Sequence, residues 1–393
     1  MNPIAAAAFS FLAFTGGLLL AGDANPWWPN SVTNALAQSG ANAAELTKAL
    51  ASVPESQRPG MQFLVENMPT QDLRGLSSTY LLADTELAYE ALASAPWGKQ
   101  IPADIFLNDV LPYASLNERR DDWRKRLREI AAPLVRDCQT PGEAAQALNR
   151  QLFKLVNVHY STQRKKADQS ALESMESGIA TCSGLSILLV DACRAVGVPA
   201  RVAGTPMWVN MRGNHTWVEV WDGRWHFLGA AEPDAKGLDH GWFIGDAAQA
   251  RKDLPEHAIY ASSFRKTGLA FPLVWDSQID WVPAVNVTER YAASSQPASV
   301  SEGQLRLLVK VLDIDGGKRV LAKVTISDPA DVALKLEGNS RDETADLNNI
   351  LPFTLSRDHA YKVRVEHEGR TVERDFKTIG GTDAEQTLVI PLA

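Results

Sequence analysis

The chain has 393 residues, 45% hydrophobic and 22% charged, which is enough to bury cores in two or three domains and too apolar for global disorder. Its 39 Lys and Arg against 47 Asp and Glu give a formal charge of -8, which excludes a general nucleic-acid binder because phosphate contacts need a basic face. The 3 cysteines exclude a disulfide scaffold. Cys138 and Cys193 read as buried small hydrophobes or as one pair, and an odd count leaves at least one free thiol.

The run from Ile4 to Gly22 is almost wholly apolar and reads as a secretory h-region, so residues 1–24 are expected to be a signal peptide or an N-terminal anchor. Ala21, Gly22 and Ala24 suit cleavage near Asp23 to Asn25. The protein is therefore expected to be exported, as a periplasmic, cell-surface or secreted protein, with any membrane contact confined to this segment. Residues 25–139 read as helical. Apolar positions recur at helical spacing in Ala44 to Leu50, in Tyr80 to Leu92, and in Trp123, Leu127, Ile130 and Leu134.

From residue 140 to 291 helix and strand patterns alternate. Thr140-Pro141-Gly142-Glu143 is a capping box with Pro at the first helical position, and Leu148, Leu152, Leu155 and Val156 give that helix an apolar face. Ser183 to Val196 is an apolar helix closed by Gly197, with Pro199 beyond. Ala200 to Val209, His215 to Trp221 and Arg224 to Ala230 read as strands, the last two joined by an Asp222-Gly223 hairpin turn. Residues 292–300 read as a linker. Over residues 301–393, short β runs at Leu305 to Leu312, Val320 to Ile326, Val332 to Leu336, Tyr361 to Glu366 and Leu388 to Leu392 suggest a small β-sandwich, prealbumin-like or immunoglobulin-like.

Cys182 carries the first chemical signal. It lies at the start of the Ser183 to Val196 helix, where unpaired N–H groups and the helix dipole favour a thiolate. The small neighbours Ala180, Ser183 and Gly184 let a carbonyl approach the backbone, and the Cys182 N–H is a candidate oxyanion donor. His215 is the second signal. On a strand it shares one face with Trp217, Glu219 and Trp221, while Thr216, Val218 and Val220 share the other. The valine face packs on a neighbour and the histidine face offers a base to the thiol.

Cys182-Ser183-Gly184, then Ala195-Val196-Gly197-Val198-Pro199-Ala200-Arg201-Val202, then Asn214-His215-Thr216-Trp217-Val218-Glu219-Val220-Trp221 and Gly223-Arg224-Trp225 together resemble the core of the transglutaminase-like superfamily, over about Asp168 to Trp242. The resemblance implies an α+β, papain-like core, with a helix packed on an antiparallel sheet, and acyl transfer through a thioester. It makes Cys182 the nucleophile and His215 the general base and acid.

The family's third member, an Asp after the tryptophan strand, aligns here with Gly229, which cannot orient an imidazole. Glu232 and Asp234 are the nearest acids, and Glu232 is the expected replacement because its longer side chain reaches back toward His215 Nδ1. Tyr160 or Gln169 is expected to donate a second oxyanion bond, and Trp208 and Trp217 to line a substrate groove.

No HExxH or CxxC supplies zinc ligands, and Asp313-Ile314-Asp315-Gly316-Gly317 reads as a hairpin turn rather than a calcium loop. No cofactor or metal is expected. The expected partner is a peptide or protein substrate. The function expected is a thiol peptidase, amidase or transglutaminase. Gly229 keeps open a rival reading, a catalytically inactive binding module of the same fold. Oligomeric state has no signature in the sequence.

Overall fold

Prolines and short apolar stripes set the N-terminal architecture. The structure is a computed structural model and describes residues 26–294 and 300–393; the segment read as a signal or anchor and residues 295–299 of the linker lie outside the described residues. Helices α1 (Asn30–Gln38), α2 (Ala43–Ser52), α3 (Arg58–Asn67), α4 (Thr70–Gly75), α5 (Ser78–Ser94) and α6 (Ala103–Asp109) follow one another through short turns. Pro29, Pro69 and Pro102 stand immediately before α1, α4 and α6. Their apolar faces meet in one cluster that includes Leu46, Leu50, Met61, Leu64, Leu81 and Leu111. Helix α7 (Arg124–Ala131) carries this region onto the next.

The central region holds α8 (Pro141–Leu155), α9 (Ala171–Ser177) and α10 (Cys182–Ala195). Every residue of α10 after Cys182 is buried. Burying each of its Leu, Ile and Val side chains is worth about 1.5–3 kcal/mol, several times the ~0.7 kcal/mol range of helix propensity. Burial therefore decides that this segment is a central helix. It ends where Gly197 takes φ +76°.

Two short parallel strands, β1 (His159–Tyr160) and β2 (Ile179–Ala180), bring Tyr160 opposite Ala180, just ahead of Cys182. The main sheet is antiparallel and five-stranded. It comprises β3 (Ala200–Thr205), β4 (His215–Trp221), β5 (Trp225–Leu228), β6 (Tyr260–Ser262) and β7 (Ala284–Asn286), in the order β5-β4-β3-β6-β7. Val218 and Val220 pack in the same core as Leu188, Leu189 and Val190 of α10. Strand β3 stops at Thr205, short of the expected Val209, with Pro206 next in the chain. The Asp222-Gly223 turn forms with Gly223 at φ +74°, and Asp222 accepts the Gly142 N–H at the start of α8. Short helices α11 (Ile244–Ala247) and α12 (Thr288–Ser294) flank the sheet, α12 entering the segment read as linker.

Beyond it lie β8 (Gln304–Leu312), β9 (Lys323–Ser327), β10 (Lys335–Asn339), β11 (Leu351–Ser356), β12 (Ala360–His367), β13 (Arg370–Lys377) and β14 (Glu385–Pro391). They form two sheets, β10-β9-β12-β13 and β11-β8-β14, with β14 parallel to β8. Leu305, Leu307, Val324, Phe353, Val363 and Ile390 fill the space between. The molecule is thus α+β, with a helical N-terminal region, a helix-on-sheet core and a β-sandwich.

Two strands of the sandwich had no expectation in the sequence. Strand β13 reads Arg-Thr-Val-Glu-Arg-Asp-Phe-Lys and is mostly exposed on a sheet edge, and β11 contains Pro352 on the other sheet's edge. The expected start of β10 at Val332 is displaced, since Val332 is 97% exposed and the strand begins at Lys335.

Candidate active site

Cys182 is the first residue of α10, and Thr181 precedes it in extended conformation. The opening N–H groups of the helix therefore have no intrahelical partner. Ser183 and Thr216 share a hydrogen bond, Oγ to Oγ1, at 3.1 Å, which ties the first turn of α10 to β4 beside His215. Strand β3 comes very close at this point. A Cβ on Gly204 would lie 2.6 Å from the His215 carbonyl oxygen, so only glycine keeps this pairing.

His215 is 2% exposed. Its ring is walled by Trp242 at 4.7 Å, Phe243 at 5.0 Å, Trp217 at 5.7 Å and Trp208 at 6.1 Å, centroid to centroid. The sulfur of Cys182, a ring nitrogen of His215 and a carboxylate oxygen of Asp346 all lie within 4.8 Å of one another. His215 Nδ1 is 3.5 Å from Asp346 Oδ2, an ion-pair contact longer than a well-formed hydrogen bond. Burial pulls the imidazole pKa down, but the Asp346 carboxylate and the Cys182 sulfur outweigh it and push it up to about 10. Burial likewise raises Asp346, and the His215 charge, with the Asn348 N–H, holds it below the usual carboxylate value. All three cysteines are free thiols, so the expected alternative of a Cys138–Cys193 pair does not form.

Asp346 comes from the sandwich, in the loop between β10 and β11, and several groups fix that loop on the core. Leu347 N–H donates to Tyr160 Oη at 3.2 Å, Asn348 Nδ2 to the Asn214 carbonyl at 3.0 Å, and Arg212 Nη1 to the Asn348 carbonyl at 3.0 Å. Arg319, within the sandwich, donates to the Asp346 and Ala345 carbonyls. Beside the loop, Arg212 and Arg306 face Asp246 and Glu385. Arg306 lies 3.1 Å from each acid, and Arg212 pairs with Asp246 and, at 3.4 Å, with Glu385. This network joins the core to β8 and β14.

The expected orienting acid, Glu232, is elsewhere. Its Oε2 accepts the Trp242 indole N–H at 2.8 Å, and it covers Gly229, where a Cβ would meet that oxygen at 2.7 Å. A side chain at 229 would have to displace the Glu232 carboxylate. Burial pushes the Glu232 carboxyl up to about 7 against the lowering effect of His215. It reaches the His215 neighbourhood through Trp242, while Asp346 occupies the Nδ1 side. Asp234 instead caps its own turn at the Lys236 N–H.

Gln169 is buried, and its amide N–H groups are spent on Ser177 and the Ile179 carbonyl, so it does not face the sulfur. Tyr160 lines the cavity with Cys182, and its hydroxyl accepts from Leu347, leaving its own proton to donate. Trp208 and Trp217 are fully buried and stack at 6.0 Å as a wall behind the histidine rather than a groove; Trp217 Nε1 donates to Tyr291 Oη. Beneath them Glu219 is fully buried against Arg201, Arg290 and Tyr291. Burial raises its carboxyl pKa and the two guanidinium groups outweigh that, so it stays lowered.

Residues 128–246 match the family model of the transglutaminase-like superfamily. No curated protein matches the chain. Among solved structures, a candidate cysteine protease from Cytophaga hutchinsonii is similar at 19% identity over 36% of this chain and 46% of that one, with a TM-score of 0.28. Red sea bream transglutaminase is similar at 8% identity over 75% of this chain and 58% of that one, with a TM-score of 0.25. This chain thus spans about half the length of either structure, and at these scores neither likeness bears on the reaction. The family match and the Cys182–His215–Asp346 constellation support a thiol-dependent enzyme.

Proposed function

We propose that this is a cysteine-dependent acyl-transfer enzyme acting on peptide or side-chain amides through a thioester. The proximity of Cys182, His215 and Asp346 at a helix start carries the reading. In this scheme His215, its pKa raised to about 10, already holds on Nε2 the proton passed from the thiol, and the Cys182 sulfur attacks the amide carbonyl carbon. The carbonyl oxygen becomes an oxyanion that accepts hydrogen bonds from the Cys182 N–H and the Tyr160 hydroxyl. His215 then gives its proton to the leaving amine, and the C–N bond breaks to leave a thioester. Water, or a second amine in a cross-linking variant, releases the acyl group, and His215 takes and returns the proton again.

Asp346 is the orienting acid. It holds Nδ1 protonated so that the other nitrogen faces the sulfur. Its presence removes the motive for an inactive module, which was the glycine at 229. Hydrolysis is favoured over cross-linking, and export is carried with the proposal on the strength of the apolar run from Ile4 to Gly22. Among the described residues no helix is long and apolar enough to cross a membrane.

A peptide-amide library followed by intact-mass measurement tests the reading. Wild-type protein is expected to accumulate an acyl adduct on Cys182 that Cys182→Ala cannot form, with turnover lost. Undiminished turnover in Cys182→Ala refutes the assigned nucleophile.

A further inference from the structure

Cys182 opens onto two cavities of different character. One, of about 380 Å³, has Glu232, Asp234, Trp242 and Arg341 in its wall. The other, of about 310 Å³, shares Tyr160 with the first and adds Thr162, Arg164, Asn214 and Asn348. Asp346 borders both and is engaged by His215.

Among the cations of its loop, Lys165 is exposed to solvent while Arg164 is half-buried. Lys166 is paired with Glu173 at 3.1 Å, and nearby Arg119 with Asp121. Arg164 has no carboxylate partner among the described residues. Its Nε is buried without an acceptor, and its Nη1 makes one long bond, 3.3 Å, to the Thr162 carbonyl. A desolvated guanidinium nitrogen without an acceptor is costly unless something else satisfies it. The group that matches the planar fork of guanidinium donors is a carboxylate.

We infer that the Arg164 cavity is a substrate subsite for a carboxylate, so that the preferred amide carries an acidic group directed to Arg164 rather than to Glu232. This rests on the thiol-enzyme reading and deepens it by naming a substrate class. The asymmetry follows from charge. An acidic substituent gains a partner at Arg164, whose Nε has no acceptor, whereas in the other cavity the one arginine, Arg341, already donates to Asn349 and the Asn339 carbonyl and stands among Glu232, Asp234 and Asp346. Asn214 and Asn348 line the same cavity as Arg164.

The test uses two alkylating probes that differ only in terminal charge, bromoacetyl-glycine and bromoacetyl-glycinamide. Each forms an S–C bond at Cys182 and expels bromide, and the modified cysteine is located by peptide mass spectrometry. The carboxylate probe is expected to react faster than its neutral twin by about tenfold, the worth of one charge-assisted contact. Arg164→Gln is expected to abolish that ratio, and Arg164→Lys to keep part of it. His215 attracts anions in every variant, so its contribution cancels in the comparison. A wild-type ratio equal to that of a small free thiol overturns the subsite, as does a ratio that Arg164→Gln leaves intact. Failure of the underlying enzyme reading looks different. Both probes would then react at Cys182 no faster than with a model thiol, and the ratio would still decide the subsite.

Discussion

The core and the sandwich contribute to one site in different ways. The core supplies Cys182 and His215 from a helix start and a strand bonded to each other through Ser183 and Thr216, so their geometry is fixed by local packing. The sandwich supplies Asp346 from a loop that reaches the core only because hydrogen bonds and a four-charge network hold the two together. On the proposed reading, a site divided in this way gives the β-sandwich a part in the chemistry. Reactivity of the sulfur then depends on docking as well as on folding.

The sharpest way to break that comparison is Asp346→Asn. It preserves shape while removing the charge that favours the imidazolium and its tautomer. Turnover is expected to fall by about 10⁴, the loss seen when an orienting carboxylate becomes an amide, with binding of substrate little changed. Steady-state kinetics check this, and a loss of less than threefold assigns the orienting role elsewhere.

A smaller effect is expected from the interface. Arg306→Ala leaves Asp246 and Glu385 with one guanidinium instead of two. Asp246 is nearly fully buried, so the cost is that of a weakened buried pair, not of an exposed one. Activity is expected to fall about tenfold and to become more sensitive to salt, because fewer docked molecules present Asp346. Measuring kcat/KM from low to high ionic strength checks it. Equal salt dependence in wild type and variant means that the network does not hold the loop.

The sequence revealed the two halves unequally for physical reasons. Cys182 and His215 were legible because their surroundings are local: an apolar run closed by Gly197, and a strand with alternating faces. Asp346 was not legible, because Asp342 to Asn349 is a polar stretch between apolar runs, with the composition of any surface loop. Gly229 shows that an acid is missing from its usual place, but nearness along the chain, which points to Glu232, does not bring that carboxylate to Nδ1, where Asp346 stands. In the fold Glu232 is held over Gly229 by the Trp242 indole. The groove expected at Trp208 and Trp217 failed on burial, since both indoles are needed to wall the histidine. Strand β13 was missed because an exposed edge strand has no apolar alternation to show.

The smallest predicted effect separates the two acids by pH. The His215 pKa is raised from 6.5 to about 10, so its stabilising contribution is full below pH 6.5 and is lost as pH rises through about 10. Asp346 is lowered from 3.8, so its contribution is present above pH 3.8 and is lost as pH falls through its lowered value. Glu232 is raised from 4.5 to about 7, so the folded state holds that proton more tightly, and stability drains away as pH climbs from 4.5 through 7. Glu232→Gln removes that drain. The variant is expected to match wild type near pH 4.5 and to exceed it at pH 8 by about 1–3 kcal/mol, with turnover within about threefold because Asp346 still serves the imidazole. For Asp346→Asn the deficit against wild type is expected to be largest near neutral pH and to shrink toward pH 10 as His215 loses its proton. Thermal melts of the three proteins at pH 4.5, 8 and 10 read both trends. If Glu232→Gln showed the alkaline behaviour and Asp346→Asn did not, the two carboxylates would have to exchange roles.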